Sequence, residues 1–342
     1  MQTLQTKRAA EPQKVAPKVD VARKPAAPKP AAQGFEAAKA ALSPAATPLK
    51  PATAARAAVK APPPPQRDLP DPAVVKKDGV ADPYAYKKND RGAVLYGPNG
   101  VQVSDVRQGA IGDCYLAAAL AAVAGTSPAA ITNAIKDNGD GTFTVRFYQL
   151  DWTGSKKAES VTVDADLPFS GDLPAYAKST ESVDGKPAHE LWPSILEKAY
   201  AQWKGSYDAI GHGGNAGDVM EALTGERARS RSTSGDTDAL WTKMKEATEK
   251  KKPMCAGSGD KDDAKYKDPK AGVYGWHAYT VLGVEEKKTG DKTEKLVRLR
   301  NPWSVRRRAA DAAAVGDAEN KAEFTLTYDE FRRLYDDVYF NG

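Results

Sequence analysis

The stretch from Cys114 to Gly125, CYLAAALAAVAG, holds no charged side chain. Its Ala and Leu content favours a helix, and a helix that is apolar on every face has no side to offer water, so it belongs at the centre of a core. Gly125 and Pro128 close it. It falls well short of the roughly 20 residues that a bilayer-spanning helix needs. Whatever this chain folds into is built around that segment.

Residues 1 to 70 have the opposite character. They contain 20 Ala, 13 Pro, 12 Lys plus Arg and four acids, Glu11, Asp20, Glu36 and Asp68. With so little large apolar surface to bury, the segment is expected to be a disordered tail over residues 1–80, and APPPPQRDLP (61–70) reads as an extended polyproline-like spacer. Subtracting the tail from the totals of 50 basic and 45 acidic residues leaves 38 against 41, so the formal +5 of the chain belongs to the tail and the body is near −3. Such a body lacks the basic surface of a dedicated nucleic-acid binder. No run approaches a membrane span, and the N-terminus (MQTLQTKRAAEPQK) has no apolar core of a secretory signal. A cytoplasmic monomer is expected, with secretion lacking a cleaved signal as the alternative.

Past residue 80 the pattern alternates between strand and helix. TFTVRFYQL (142–150) and SVTVDADLP (160–168) predict a hairpin. In HELWPSILEKAYAQWKGSYDAI, residues Leu191, Ile195, Leu196, Ala199, Tyr200 and Trp203 share a helical face. GHGGNAG (211–217) is a turn before the short helix DVMEALTG. Beyond Gly225 comes a helix, DALWTKMKEATEKK, followed by strand candidates PMCAGS, WHAYTVLGVEE, KLVRLRNPW and AEFTLTY. The reading is an α+β fold of two lobes, helix-rich over 81–225 and built on an antiparallel sheet over 226–342.

Two cysteines 141 positions apart make no disulfide framework. Cys114 starts the buried helix directly after Gly112 and Asp113, where unpaired backbone N–H groups favour an anion, so a stabilised thiolate is expected; the plainer reading is a small apolar residue opening a helix. Cys255, in a strand, reads as packing. His277 lies in the strand-like run GWHAYTVLGV, and Asn301 ends the strand that follows it after a hairpin, which brings an imidazole and an amide carbonyl within reach. Cys, His and Asn form a nucleophile, base and orienter. Gln108, six residues before Cys114, is placed to donate to an oxyanion. His212, in its glycine-rich turn, and His189 read as exposed.

QGAIGDCYLAAALAAVA, HELWPSILEKAYAQWKGSYDAIGHGG, GWHAYTVLGV and LVRLRNPW together resemble the calpain-type cysteine proteases, which have a papain-like two-lobed core, in the same order and at similar spacing. The resemblance spans about residues 95 to 342, including the closing AEFTLTYDEFRRLYDDVYF, which is similar to the family's last strand and helix. It implies an endopeptidase acting on extended protein segments, with Cys114 as nucleophile, His277 as general acid and base, Asn301 as orienter, Gln108 as oxyanion donor and Trp303 shielding the His–Asn pair. It also implies one Ca²⁺ in the first lobe, held by Asp105, Glu190 and turn carbonyls around Pro98 and Gly100, oxygen donors of the kind Ca²⁺ takes. The family's second Ca²⁺ site is expected to be absent, because Arg306, Arg307 and Arg308 stand where a carboxylate belongs. The alternative is a catalytically silent member of this fold that binds proteins.

Overall fold

The computed structural model describes residues 67–77, 80–81, 83–88, 93–179, 181–183, 186–188, 190–267, 272–305 and 321–342. The tail up to residue 66, His189, and Arg306 to Arg308 lie outside the described residues. What is described is mixed helix and antiparallel sheet, as expected.

Helix α1, Cys114–Thr126, is the apolar segment, and its residues Tyr115 to Ala124 are all buried. Pro128 then opens α2, Pro128–Ala134, in the first turn, where its missing N–H costs nothing. Around α1 stand α3, Trp192–Lys204, the single turn α4, Tyr207–Ile210, and α5, Ala216–Thr224. Asn215 caps α5 by accepting from Gly217 N at 2.7 Å. The buried face of α3 meets the hairpin: Phe147 stacks on Trp203 at 5.0 Å and sits edge-on to Tyr200 at 5.7 Å.

That hairpin pairs Thr142–Leu150 with Lys156–Asp164, from Thr142 opposite Asp164 to Leu150 opposite Lys156. Its second strand therefore begins four residues before the expected 160. The leading KKAE carries no alternation because it is solvent-facing, and backbone pairing alone extends the ladder there. The same strand stops at Asp164. Residues Asp166–Ser170 turn away to pair with Ala85–Lys88 and with Leu173–Pro174.

Ordered packing also starts before residue 81. Lys198 on α3 is 1% exposed and pairs with Asp164 at 2.6 Å and Asp71 at 2.5 Å. Val75 is buried, and Arg67 N donates to Asp140 O at 3.0 Å. A buried ammonium is tolerated only when paired, so the acidic DLPDP segment is recruited as its partner. Composition treats that segment as solvated, since the group that binds it lies 127 residues further on.

The second lobe is a six-stranded antiparallel sheet in the spatial order Ala228–Ser232, Tyr335–Asn341, Met254–Ser258, Ala278–Thr289, Lys292–Arg300, Glu323–Thr327. Helix α6, Thr237–Glu249, capped by Asp236, lays Leu240, Trp241, Met244 and Ala247 on it. Helix α7, Tyr328–Leu334, opens with a capping box of Thr327 and Glu330. The strand Tyr335–Asn341, inside the sheet, is not legible in advance: a pair of Asp residues, 336 and 337, interrupts its apolar pattern.

Buried side chains gather in two clusters, one per lobe, with an exception. Cys255 and Ala278 stand on second-lobe strands but pack into the first cluster. Three hydrogen bonds cross beside them: Thr280 Oγ1 to Ala118 O at 2.8 Å, Arg300 Nη2 to Val106 O at 2.7 Å, and Gln108 N to Pro302 O at 2.9 Å. Among the described residues no single helix is long and apolar enough to cross a membrane.

Candidate active site

The turn Arg107–Asp113 delivers Cys114 to the start of α1, and two close backbone approaches hold it. A Cβ on Gly109 would stand 2.2 Å from Ala175 O, and one on Gly112 would stand 2.5 Å from Gly211 O. Only glycine fits at either position. Gly112 N donates to Gly211 O and Gly213 N to Gly112 O, both at 2.8 Å, so the GHGG turn braces the one before the cysteine.

The expected stabilised thiolate is corrected at this point. Burial pushes the Cys114 thiol up to about 11, and the negative charge of Asp113 adds to the rise, while the N–H groups of Ala278, Tyr115 and Cys114 itself pull the other way. A helix start supplies only partial charges, and desolvation of the sulfur outweighs them. At rest the group is a thiol, and its proton needs an acceptor.

The facing lobe contributes an imidazole to the same cleft. His277 is the residue before the strand Ala278–Thr289, and Asn301 follows Arg300 at the end of the next strand. His277 Nε2 lies 2.9 Å from Asn301 Oδ1, and Trp303 N donates to the same Oδ1 at 3.1 Å. The backbone N–H of Trp303 can only donate, which identifies the atom as the carbonyl oxygen, and that oxygen can only accept from the ring. The imidazole proton is therefore on Nε2, and Nδ1 is the basic nitrogen. Asn301 is fully buried, and the Trp303 ring covers the imidazole with centroids 4.2 Å apart. Ser258 pins the His277 backbone, its Oγ accepting from His277 N at 3.0 Å.

Gln108 lines the same cleft as Cys114, and its Nε2 donates to Ile111 O at 2.7 Å. Its amide also supports the carboxyl of Asp113. Behind the cysteine lies a group that sequence reasoning misses. Glu197 of α3 is 1% exposed, is hydrogen-bonded to Asp113, and accepts from Ala177 N at 2.8 Å. Its place on the helix, three residues before buried Tyr200 and one after buried Leu196, is the only signal available. Burial raises both carboxyls, Asp113 to about 6 and Glu197 well above its usual range, and the charge of Asp113 raises Glu197 further. Both carboxyls therefore hold a proton more readily than exposed ones do.

A carboxyl raised in the folded state keeps a proton that the unfolded chain releases. Stability therefore falls as pH climbs above the unfolded value, 4.5 for Glu, until the native pKa is reached. Glu197→Gln preserves both hydrogen bonds without the titration. Its thermal unfolding midpoint relative to the parent is expected to rise as pH climbs above 4.5 and to level off once the native pKa is passed; a difference independent of pH would show that the Glu197 carboxyl is not raised.

Asp105 ends a single 3-10 turn, Val103–Asp105, and Glu190 forms a bridge with Val94 rather than opening the Trp192 helix. Both are buried. Asp105 Oδ2 accepts from Gln102 N at 2.6 Å and Trp192 Nε1 at 3.1 Å. Glu190 accepts from Gly97 N and from Ser179 Oγ, the latter at 3.1 Å. The Gly97 N–H thus ties the start of the turn to Glu190 and the Gln102 N–H ties the residue after it to Asp105; carboxylate and carbonyl oxygens are the donors that Ca²⁺ takes.

Cys114, Gln108, His277 and Trp303 line one cleft of about 1220 Å³ between the lobes. His212, at its rim, is exposed and bonded to Asp208 at 3.0 Å, and Cys255 is buried in the first-lobe core. The profile of the calpain family of cysteine proteases matches residues 88–314. The calpain-type cysteine protease ADL1 of Oryza sativa subsp. japonica is 36% identical over 216 residues, 60% of this chain and 9% of that protein. DEK1 of Zea mays is 35% identical with the same coverage, and calpain-9 of Mus musculus is 29% identical over 206 residues, 60% of this chain and 29% of the relative. The chain thus spans about a tenth of the plant relatives' length and under a third of the mouse one.

Proposed function

Because the chain belongs to the calpain family of cysteine proteases, we propose that it is a cysteine endopeptidase that cleaves extended protein segments in the cleft between its lobes. The observation that carries this is the buried pair His277 and Asn301, joined at 2.9 Å beneath Trp303 in the cleft that also holds Cys114.

His277 Nδ1 takes the thiol proton as the Cys114 sulfur attacks the scissile carbonyl, which reconciles a high resting thiol pKa with nucleophilic chemistry. The positive charge so formed on the ring is held by Asn301 Oδ1, and Trp303 keeps water off that bond. Gln108 and the Cys114 N–H stabilise the oxyanion. The imidazolium then protonates the leaving amine, and water, deprotonated by His277, releases the acyl group from sulfur. A protein-binding member that has lost turnover is the competing reading. Hydrolysis of an unfolded protein, abolished by a thiol-directed alkylator in proportion to Cys114 labelling, supports the peptidase; no hydrolysis by the unlabelled chain removes it.

Ca²⁺, where bound, would be held by Asp105, Glu190 and the carbonyls near Pro98 and Gly100, and would neutralise two buried carboxylates. We propose one such ion per chain. Arg300 links this corner to the orienter, since its Nη2 binds the carbonyl of Val106, next to Asp105, and its backbone precedes Asn301. Calorimetric titration is expected to find at most one tight Ca²⁺, lost in Asp105→Ala. Two equivalents, or one surviving both Asp105→Ala and Glu190→Ala, would overturn the assignment.

A further inference from the structure

Among the described residues three large apolar side chains are well exposed, Trp152, Leu173 and Trp276, and two of these line the cleft that holds Cys114 and His277. They come from opposite lobes. Leu173, 45% exposed, opens the short strand Leu173–Pro174 of the first lobe, and Trp276, 64% exposed, is the residue directly before His277.

Trp276 also carries a backbone conformation that suits it poorly. Its φ of 50° lies in the left-handed region, which glycine enters freely and a bulky side chain does not. No burial of the ring offsets that cost, since the side chain is exposed. The conformation is nonetheless held, with Trp276 N donating to Gly259 O at 2.7 Å and Lys261 Nζ lying 4.9 Å from the ring centroid on one face. The fold therefore spends stability to present an indole at the cleft, the pattern of a strained residue retained for a ligand.

We infer that Trp276, with Leu173 on the facing lobe, is a specificity-determining residue that receives a large apolar side chain, Leu or Phe in type, lying within two residues of the scissile bond. The inference rests on the peptidase reading for the position of the substrate and extends it by naming the side chain selected. Contact with indole removes apolar area from water on both partners, and alanine fills too little of the space to gain it. Arg107 and Lys178 line the cleft as well, so a preference for acidic side chains is the rival outcome.

The test uses quenched fluorescent peptides in which each of the two positions on either side of the cleaved bond is set in turn to Leu, Phe, Ala or Glu. The parent is expected to prefer Leu or Phe over Ala by about 10-fold or more in kcat/KM at one position, and Trp276→Gly to reduce that ratio to about 3-fold or less there. Trp276→Phe should keep most of it. Glycine suits the backbone, so Trp276→Gly is expected to fold with a thermal midpoint no lower than the parent's. In parallel, binding of the same peptides by anisotropy to Cys114→Ala, with and without Trp276→Gly, should lose the same discrimination. That second arm judges the subsite even if the parent fails to hydrolyse anything, a failure that would sink the peptidase reading alone. No apolar preference in either arm, a preference for Glu, or ratios unchanged by Trp276→Gly would overturn the inference.

Discussion

Cys114→Ala and His277→Ala are each expected to lower kcat/KM on an unfolded protein substrate by about 10⁴-fold or more, the scale on which members of such constellations fail singly. The two losses should not add. Without the sulfur no covalent intermediate forms, and without the imidazole a thiol of pKa about 11 keeps its proton near neutrality. Cys114→Ala gives up the Ala278 N–H bond to the sulfur, but the cross-lobe bonds of Thr280, Arg300 and Gln108 remain in both variants, so thermal midpoints should stay within a few degrees of the parent. Cys255→Ala is the control, a buried cysteine with no part in the cleft. Activity that survives Cys114→Ala and dies in Cys255→Ala would reverse the assignment.

Gln108→Ala is expected to cost about 10²- to 10³-fold in kcat, the usual value of one oxyanion donor, with a smaller change in KM. The donor acts on charge that appears as the carbonyl is attacked, not on the bound ground state. The structure adds a second signature. Since the Gln108 amide also supports the carboxyl of Asp113, its removal should raise that carboxyl's pKa further. A rise in KM at constant kcat would instead make Gln108 a substrate-binding residue.

The parts of this fold that are legible in the sequence are those that a local signal determines. Ala and Leu on every face leave α1 no place except the core. His277 and Asn301 are readable as neighbours because a tight hairpin joins consecutive strands, and the pairing of Thr280 with Arg300 places the residues just beyond at one end of the sheet. What escapes is decided at a distance. The packing of residues 67–77 depends on a buried lysine in α3, the early start of the strand Lys156–Asp164 on its partner's register, and the interior strand Tyr335–Asn341 on neighbours far away in the sequence, Ser258 opposite Tyr335 being the nearest. The Cys114 thiol follows the same rule. A helix start is visible in one dimension, but the burial that overrides it, and the raised carboxyls of Asp113 and Glu197, exist only after three elements have packed together.

The placement of Cys255 and Ala278 bears on how far this protein can be taken apart. They are written in the second half of the chain and complete the core of the first. A gene divided at residue 226 would make one fragment with a notch beside α1 and another with two small side chains turned out to solvent. Neither half is a module to be moved alone, because each leaves part of the shared packing without its partner. Shuffling such a domain into larger polypeptides must carry both halves, joined or at least produced together.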